Sequence, residues 1–193
     1  MKTTPETREA VVRELEAGTG FPAKELDAVI NLESGWHWDA VNPKSKAEGL
    51  IQIMPFHLHK WGIAPGTVRR SRPKVQLQYI GRYFAPLAGK WKVPGDTYLA
   101  VAAPAGLGRP DSHVVYPVGS DAWTLNRIWR DGPDGPITAG SIRALLLRRM
   151  ASSPKDFGLG LQPPRAPKRS QIPAWGWLLA LAAGMAIVAQ GDD

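Results

Sequence analysis

"ESGWHWDAVNPKSKAEGLIQIMP" occupies residues 33–55. A glutamate leads two tryptophans, a loop crowded with Asn, Pro, Lys and Ser, and an apolar run with one glutamine inside it. Just upstream, "FPAKELDAVINLES" (residues 21–34) carries Leu26, Val29 and Ile30 on one helical face, and the next position on that face is Glu33. Glu33 falls in the last turn, near the negative end of the helix dipole, and Gly35 is available to end the helix. Desolvation and the dipole both disfavour the carboxylate, which predicts a raised pKa and an acid able to donate a proton near neutral pH. A last-turn glutamate that swings into solvent fits the same periodicity. At this level the two readings stay open.

Around this stretch the chain reads as helices joined by loops. Thr4 and Pro5 are placed to cap and open a first helix that Gly18 would stop. Further helices are predicted over 23–34, 55–61, 73–89, 96–103, 121–130 and 141–150, the longest with Leu77, Ile80, Phe84 and Leu87 at helical spacing. No segment alternates strongly enough for a major strand, although "HVVYPV" (113–118) can supply a short one. The expected fold class is mainly α.

Composition sets the bounds. The 193 residues include no cysteine, which excludes a disulfide framework and thiolate metal sites. The net charge is +7, and all 24 Lys and Arg precede residue 170, against 15 acidic residues in the same span. Such a surface suits an anionic polymer: nucleic acid, acidic lipid, or a bacterial wall with carboxylate-bearing peptides. The N-terminal stretch has charges throughout and no apolar core, so no export signal is expected. From Ser170 to Gly191 no residue is charged, and residues 172–189 would rise about 27 Å as a helix, close to a hydrocarbon core of about 30 Å. Trp175 and Trp177 stand at one end of it, where interfacial aromatics collect, so a membrane span is preferred over a buried core helix. Prolines 154, 163, 164, 167 and 173 mark an extended spacer ahead of it. The expected organisation is a domain at 1–151, a basic Pro-rich linker at 152–171 and a transmembrane helix at 172–190.

Glu33-Ser34, the loop bearing "AVNP" and the run "AEGLIQIMP" together resemble the Glu-Ser and Gly-Leu-Met-Gln-x-Met-Pro signature of soluble lytic transglycosylases. These are lysozyme-like enzymes that cut the glycan strands of peptidoglycan. "QLQYIGRYF", "DTYLAVAAPAGLG", "VVYPVGS" and "GPITAGSI" are similar to transglycosylase modules of bacteriophage virion proteins, and the likeness covers about residues 20–145. The resemblance implies a lysozyme-like helical domain with Glu33 as its sole essential acid and base. It implies a substrate-binding set of Ser34, Asn42, Gly49, Gln52 and Met54, with Gly49 acting through close backbone approach. Many relatives place a tyrosine near the acid, where this chain has Pro104; either Tyr98 or Tyr116 supplies a phenol instead, with Tyr98 preferred of the two and a core tyrosine as its other reading, or the site works without one. No cofactor or metal is implied.

The family chemistry needs one carboxylic acid, which protonates the glycosidic oxygen and then takes a proton from the C6 hydroxyl of N-acetylmuramic acid, giving a 1,6-anhydro product. A hydrolase needs a second carboxylate, and neither Asp39 nor Glu48 stands in a strong position for it. His57 and His59 lack further clustered ligands, and the run from Arg130 to Ser141 does not fit a calcium loop. Basic "VRRSRPK" (68–74) reads as a solvated helix start that can also touch wall or nucleic acid, and Trp36, Trp38, Trp61 and Trp91 are candidates for sugar stacking. The expected partners are peptidoglycan, a membrane and other virion proteins, with nucleic acid a minor candidate. A basic flank on the enzyme side of the span would keep the domain in the cytoplasm, away from the wall. Assembly into a phage particle that meets the wall from outside removes that conflict. Alternatives are a periplasmic enzyme anchored in the inner membrane, an inactive channel-forming or wall-binding virion protein, and a hydrolysing muramidase.

Overall fold

A computed structural model describes residues 1–152. Eight α-helices make up most of it: α1 (Pro5–Thr19), α2 (Ala23–Ser34), α3 (Pro55–Lys60), α4 (Thr67–Arg70), α5 (Pro73–Phe84), α6 (Asp96–Ala102), α7 (Asp121–Leu125) and α8 (Ala139–Ser152). Two short antiparallel strands, β1 (Val114–Tyr116) and β2 (Ile137–Thr138), pair Val114 with Thr138 and Tyr116 with Ile137. The mainly helical expectation holds. The linker beyond Ser152 and the expected transmembrane span lie outside the described residues, among which no helix is long and apolar enough to cross a membrane.

Local chemistry explains the boundaries. Thr4 caps α1 by accepting from the Thr7 N–H, with Pro5 in the first turn. The helix runs past Gly18 and stops at Gly20, which takes the left-handed conformation and donates to the Glu16 carbonyl. Helix α2 ends as the sequence predicts, on left-handed Gly35 donating to the Asn31 carbonyl. The helix expected over 73–89 leaves α geometry after Phe84, and residues 85–87 form a 3₁₀ turn around Pro86, which cannot donate to a helical carbonyl. Likewise the segment 121–130 breaks at Asn126 into α7 and a 3₁₀ turn over 127–129. Single-turn α4 was not anticipated, being too short to show a period.

The core has two parts, and α2 contributes to both. Leu26 and Ile30 join Val11, Val12 and Leu15 of α1 and Leu77, Ile80 and Phe84 of α5, where the Phe21 and Phe84 rings sit 5.0 Å apart. Ala28 and Val29 join Leu99 of α6, Ile137 of β2, and Ile142 and Leu146 of α8. Buried ion pairs fix the helices to each other. Arg8 of α1 reaches Asp27 of α2 at 2.9 Å, and Arg143 of α8 reaches Asp96, the first residue of α6, at 2.8 Å. Glu25 of α2 accepts from Thr97 Oγ1 (2.6 Å) and from the backbone N–H groups of Gly95 and Thr97, satisfying the donors at the start of α6. Held by these contacts at Glu25 and Asp27, α2 lies where the two parts of the core meet, with residues in both.

Candidate active site

A cleft of about 670 Å³ opens at that junction, and Glu33 lines it. The glutamate continues the face of Leu26, Val29 and Ile30, all buried, so helical periodicity carries a carboxyl group to the edge of the core. It does not swing into solvent. Among the described residues no hydrogen bond or ion pair is made to its side chain, and burial raises its pKa to about 7. Near neutral pH a substantial fraction is therefore protonated, with no internal partner to displace before it gives up the proton.

One side of the cleft is the segment after α2. Residues 41–53 fold into three short extended pieces, in which Glu48 bridges Val41 on one side and Ile53 on the other. Gly49 takes φ +81, and a Cβ there would lie 2.6 Å from Val68 Cγ1 and 2.7 Å from Gln76 Oε1. Gln52 holds φ +50, an uncommon conformation for a non-glycine residue. Its Nε2 donates to the Gly49 carbonyl at 3.0 Å, which leaves the amide oxygen and one N–H for a ligand. Beneath this turn, buried Gln76 of α5 accepts from Leu50 N–H (2.9 Å) and donates toward the carbonyls of Trp38, Val68 and Ser71. Sequence reasoning missed Gln76; a fully buried glutamine is legible only once its partners are adjacent.

The other side comes from farther along the chain: Tyr98 of α6, Pro104, Tyr116 of β1, Asn126 and Trp129. Tyr98 accepts a hydrogen bond from Trp129 Nε1 at 3.1 Å. Tyr116 donates to the Ala102 carbonyl at 3.4 Å. Tyr83 of α5 connects the two sides. Its hydroxyl lies 3.1 and 3.2 Å from the Ala100 and Val101 carbonyls, and its ring packs edge-on against His57 at 5.1 Å. Burial, reinforced by the nearby Glu33 charge, pushes both Tyr83 and Tyr98 up to about 12, so both stay phenols throughout the neutral range.

Glu33, Asn42, Gln52, Met54 and Tyr98 all line the cleft. Ser34 and Gly49, assigned to substrate binding, do not. The Ser34 hydroxyl turns back to the Ile30 carbonyl at 3.0 Å, and Gly49 serves the turn beneath the cleft, where its missing side chain admits Val68 and Gln76. Asn42 uses its Oδ1 locally, accepting from the N–H groups of Lys44 and Ser45, so only its Nδ2 faces a ligand as a donor. Trp36 is buried in the core, and Trp38, Trp61 and Trp91 pack on the core without lining the cleft; Trp129 is the indole that does. His57, set aside in the sequence as lacking clustered metal ligands, also lines it, and burial followed by the Lys60 charge lowers its pKa. Among the described residues no three or more His, Cys, Asp or Glu gather as a metal site.

Among the described residues Glu33 is the one acidic residue of the cleft lining. Glu48 is buried on another face, accepting from the Gly66 and Arg69 N–H groups, and Asp39 pairs with the N-terminal amino group. A helical domain with a single desolvated carboxylic acid in an open cleft has the means for proton transfer to a ligand, and none of the lining residues offers a carboxylate nucleophile. The model of the transglycosylase SLT domain matches residues 10–110, more than half of the chain, and the protein belongs to that family. The family consists of lytic transglycosylases that act on peptidoglycan. The match runs from within α1 to beyond α6 and includes Glu33, whereas Tyr116, Asn126 and Trp129 fall after it. Comparison with curated proteins and with solved structures gave no match.

Proposed function

We propose that this protein is a lytic transglycosylase that cleaves the β-1,4 bond between N-acetylmuramic acid and N-acetylglucosamine in peptidoglycan. The observation that carries the reading is Glu33, alone among the described carboxylates in the cleft and raised to about 7 by burial. As an acid, Glu33 gives its proton to the glycosidic oxygen while the C1–O bond breaks with oxocarbenium character. The resulting carboxylate then takes the proton of the muramyl C6 hydroxyl, and O6 bonds to C1. The leaving sugar departs as an alcohol, the muramyl unit as a 1,6-anhydro ring, and Glu33 regains its proton. No water is consumed.

Gln52, Asn42 and Met54 supply the first side of the binding surface, two amides for acetamido and hydroxyl groups and one thioether for a ring face. Tyr98 supplies a phenol where Pro104 cannot. Digesting purified peptidoglycan with the full chain tests the reading, because anhydromuramyl products are about 18 mass units lighter than hydrolysed ones. Reducing ends would instead make the protein a hydrolysing muramidase.

The setting we propose is a bacteriophage particle that opens the wall locally during genome delivery, attached to a membrane through the uncharged segment 170–191. The likeness of "QLQYIGRYF" and "GPITAGSI" to virion modules supports it. Purified particles should show a lytic band near 21.0 kDa on zymography. Finding the protein in the periplasm of uninfected cells, and not in particles, would overturn this part.

A further inference from the structure

Tyr98 belongs to the second part of the core, Trp129 packs against it, and both line the cleft. Tyr98 lies on α6, inside the family match, whereas Trp129 sits in a 3₁₀ turn that begins well after it ends at residue 110. The hydrogen bond between them, 3.1 Å from Trp129 Nε1 to the Tyr98 oxygen, runs in one direction only. An indole N–H can only donate, and a phenol has one proton and accepting lone pairs. The Tyr98 proton must therefore point elsewhere, and no described residue accepts it.

The other two cleft phenols are different. Tyr83 directs its proton to the Ala100 and Val101 carbonyls, and Tyr116 to the Ala102 carbonyl. Of the three, Tyr98 alone has a proton available to the cleft that Glu33 lines. The charged groups acting on Tyr98 are Glu33 of α2 and Arg149 of α8. Trp129 is itself well anchored. Its carbonyl accepts from Ser141 Oγ at 2.5 Å, and its ring stands edge-on to Tyr98 (6.1 Å, 83°) and nearly parallel to Tyr116 (6.4 Å, 19°).

We propose that Trp129 is a positioning residue of this site: by occupying the Tyr98 oxygen as a donor, it aims the phenolic proton at the Glu33 carboxylate that forms once the acid has given up its proton. A phenol that accepts one hydrogen bond is polarised into a better donor for the next. The carboxylate is then stabilised in the interval between its two proton transfers. The inference rests on the reading of Glu33 as the acid and base, and it adds a residue from outside the matched region to that machinery.

The test uses the full chain on purified peptidoglycan, with Trp129→Phe, Tyr98→Phe and the double variant. Trp129→Phe keeps an aromatic ring and removes only the N–H. Tyr98→Phe should lower kcat about ten- to a hundredfold, the range for loss of a hydrogen bond to a charged group, and Trp129→Phe about three- to tenfold, the range for loss of a neutral one, with KM changed less than about threefold in both. The alkaline limb of the pH profile should move up by about half a unit or more, because an unsupported carboxylate is more basic. The double variant should be no slower than Tyr98→Phe alone, since Trp129 acts through that phenol. Effects that multiply, a rise in KM alone, or an unmoved alkaline limb would overturn the proposal. If Trp129→Phe does not fold, the wild-type Trp129 indole N–H resonance decides. It should move in Tyr98→Phe, and an unmoved resonance overturns the contact. Glu33→Gln distinguishes the two levels. Lysis surviving in that variant defeats the transglycosylase reading itself, whereas a dead Glu33→Gln with multiplying Trp129 and Tyr98 effects defeats only this inference.

Discussion

The first side of the cleft is drawn from residues 42–57, while the second collects Tyr98, Pro104, Tyr116, Asn126 and Trp129 from several elements. Their stabilisation differs accordingly. The first is shaped by backbone: left-handed Gly49 and Gln52, the bridges of Glu48, and one buried glutamine from α5 beneath. The second is shaped by side chains, with aromatic rings and hydroxyls meeting across stretches such as the 31 residues from Tyr98 to Trp129. A site built from turn geometry tolerates little change in its backbone. One built from ring packing depends on residues whose role in isolation is indistinguishable from core.

The largest expected effect is at Glu33, where the two sides meet. Glu33→Gln keeps the shape and removes the proton, so muropeptide release should fall at least about a thousandfold with the circular dichroism spectrum unchanged. Near-normal lysis would mean that neither side serves the chemistry assigned to it.

Backbone dependence of the first side is sharpened by a pair of glycines. At Gly49 an added Cβ meets Val68 and Gln76 below 3 Å, and Gln76 is tied to three carbonyls and cannot give way. Gly49→Ala should cost about 2–4 kcal/mol in urea unfolding. Gly108 also has positive φ (+75) but nothing within 4 Å, so Gly108→Ala should cost only about 1 kcal/mol. Equal losses would show that steric approach is not what singles out Gly49.

Glu33 should also reveal itself in stability. Its folded pKa, about 7, lies above the ordinary 4.5, so the acid is protonated in both states below pH 4.5 and contributes nothing there. As pH rises from 4.5 through 7 the folded state must carry an unfavourable charge, and stability falls. Glu33→Gln removes this penalty, so the variant should be more stable than wild type by up to about 3 kcal/mol at pH 8 and equal to it at pH 4. The kcat/KM profile of the wild type should show an alkaline limb near pH 7 from the same group. A variant no more stable at pH 8 would place Glu33 in solvent.

The smallest expected effect is at Tyr83, which joins the two sides. Its proton is held by α6 carbonyls, so Tyr83→Phe should lower stability by about 1 kcal/mol and change activity less than about threefold. A loss matching that of Tyr98→Phe would make the two phenols equivalent.

Much of this molecule is legible in its sequence. Helical spacing placed Glu33 on the face of Leu26, Val29 and Ile30, and Thr4, Pro5 and Gly35 marked helix ends where they occur. Gly18 did not stop α1, because a glycine inside a helix is tolerated when the next one, Gly20, provides the left-handed cap. Ser34 was misplaced because adjacency to Glu33 puts it on a different face of the helix, about 100° round. Tyr83 and Trp129 carried no signal of their own: in helical or turn sequence a large aromatic reads as core.

What the sequence alone determined is the set of short-range consequences: most of the helices, the ends marked by Thr4, Pro5 and Gly35, and a glutamate brought by periodicity to a buried face. Each depends on neighbours within a turn or two, and there the stereochemistry of the backbone leaves few solutions. Only the tertiary structure decided which carboxylate stands alone and which phenol has a free proton. Desolvation of Glu33 and the direction of the Trp129–Tyr98 hydrogen bond depend on atoms brought from distant parts of the chain, and a pKa or a hydrogen-bond partner is a property of that assembled surrounding.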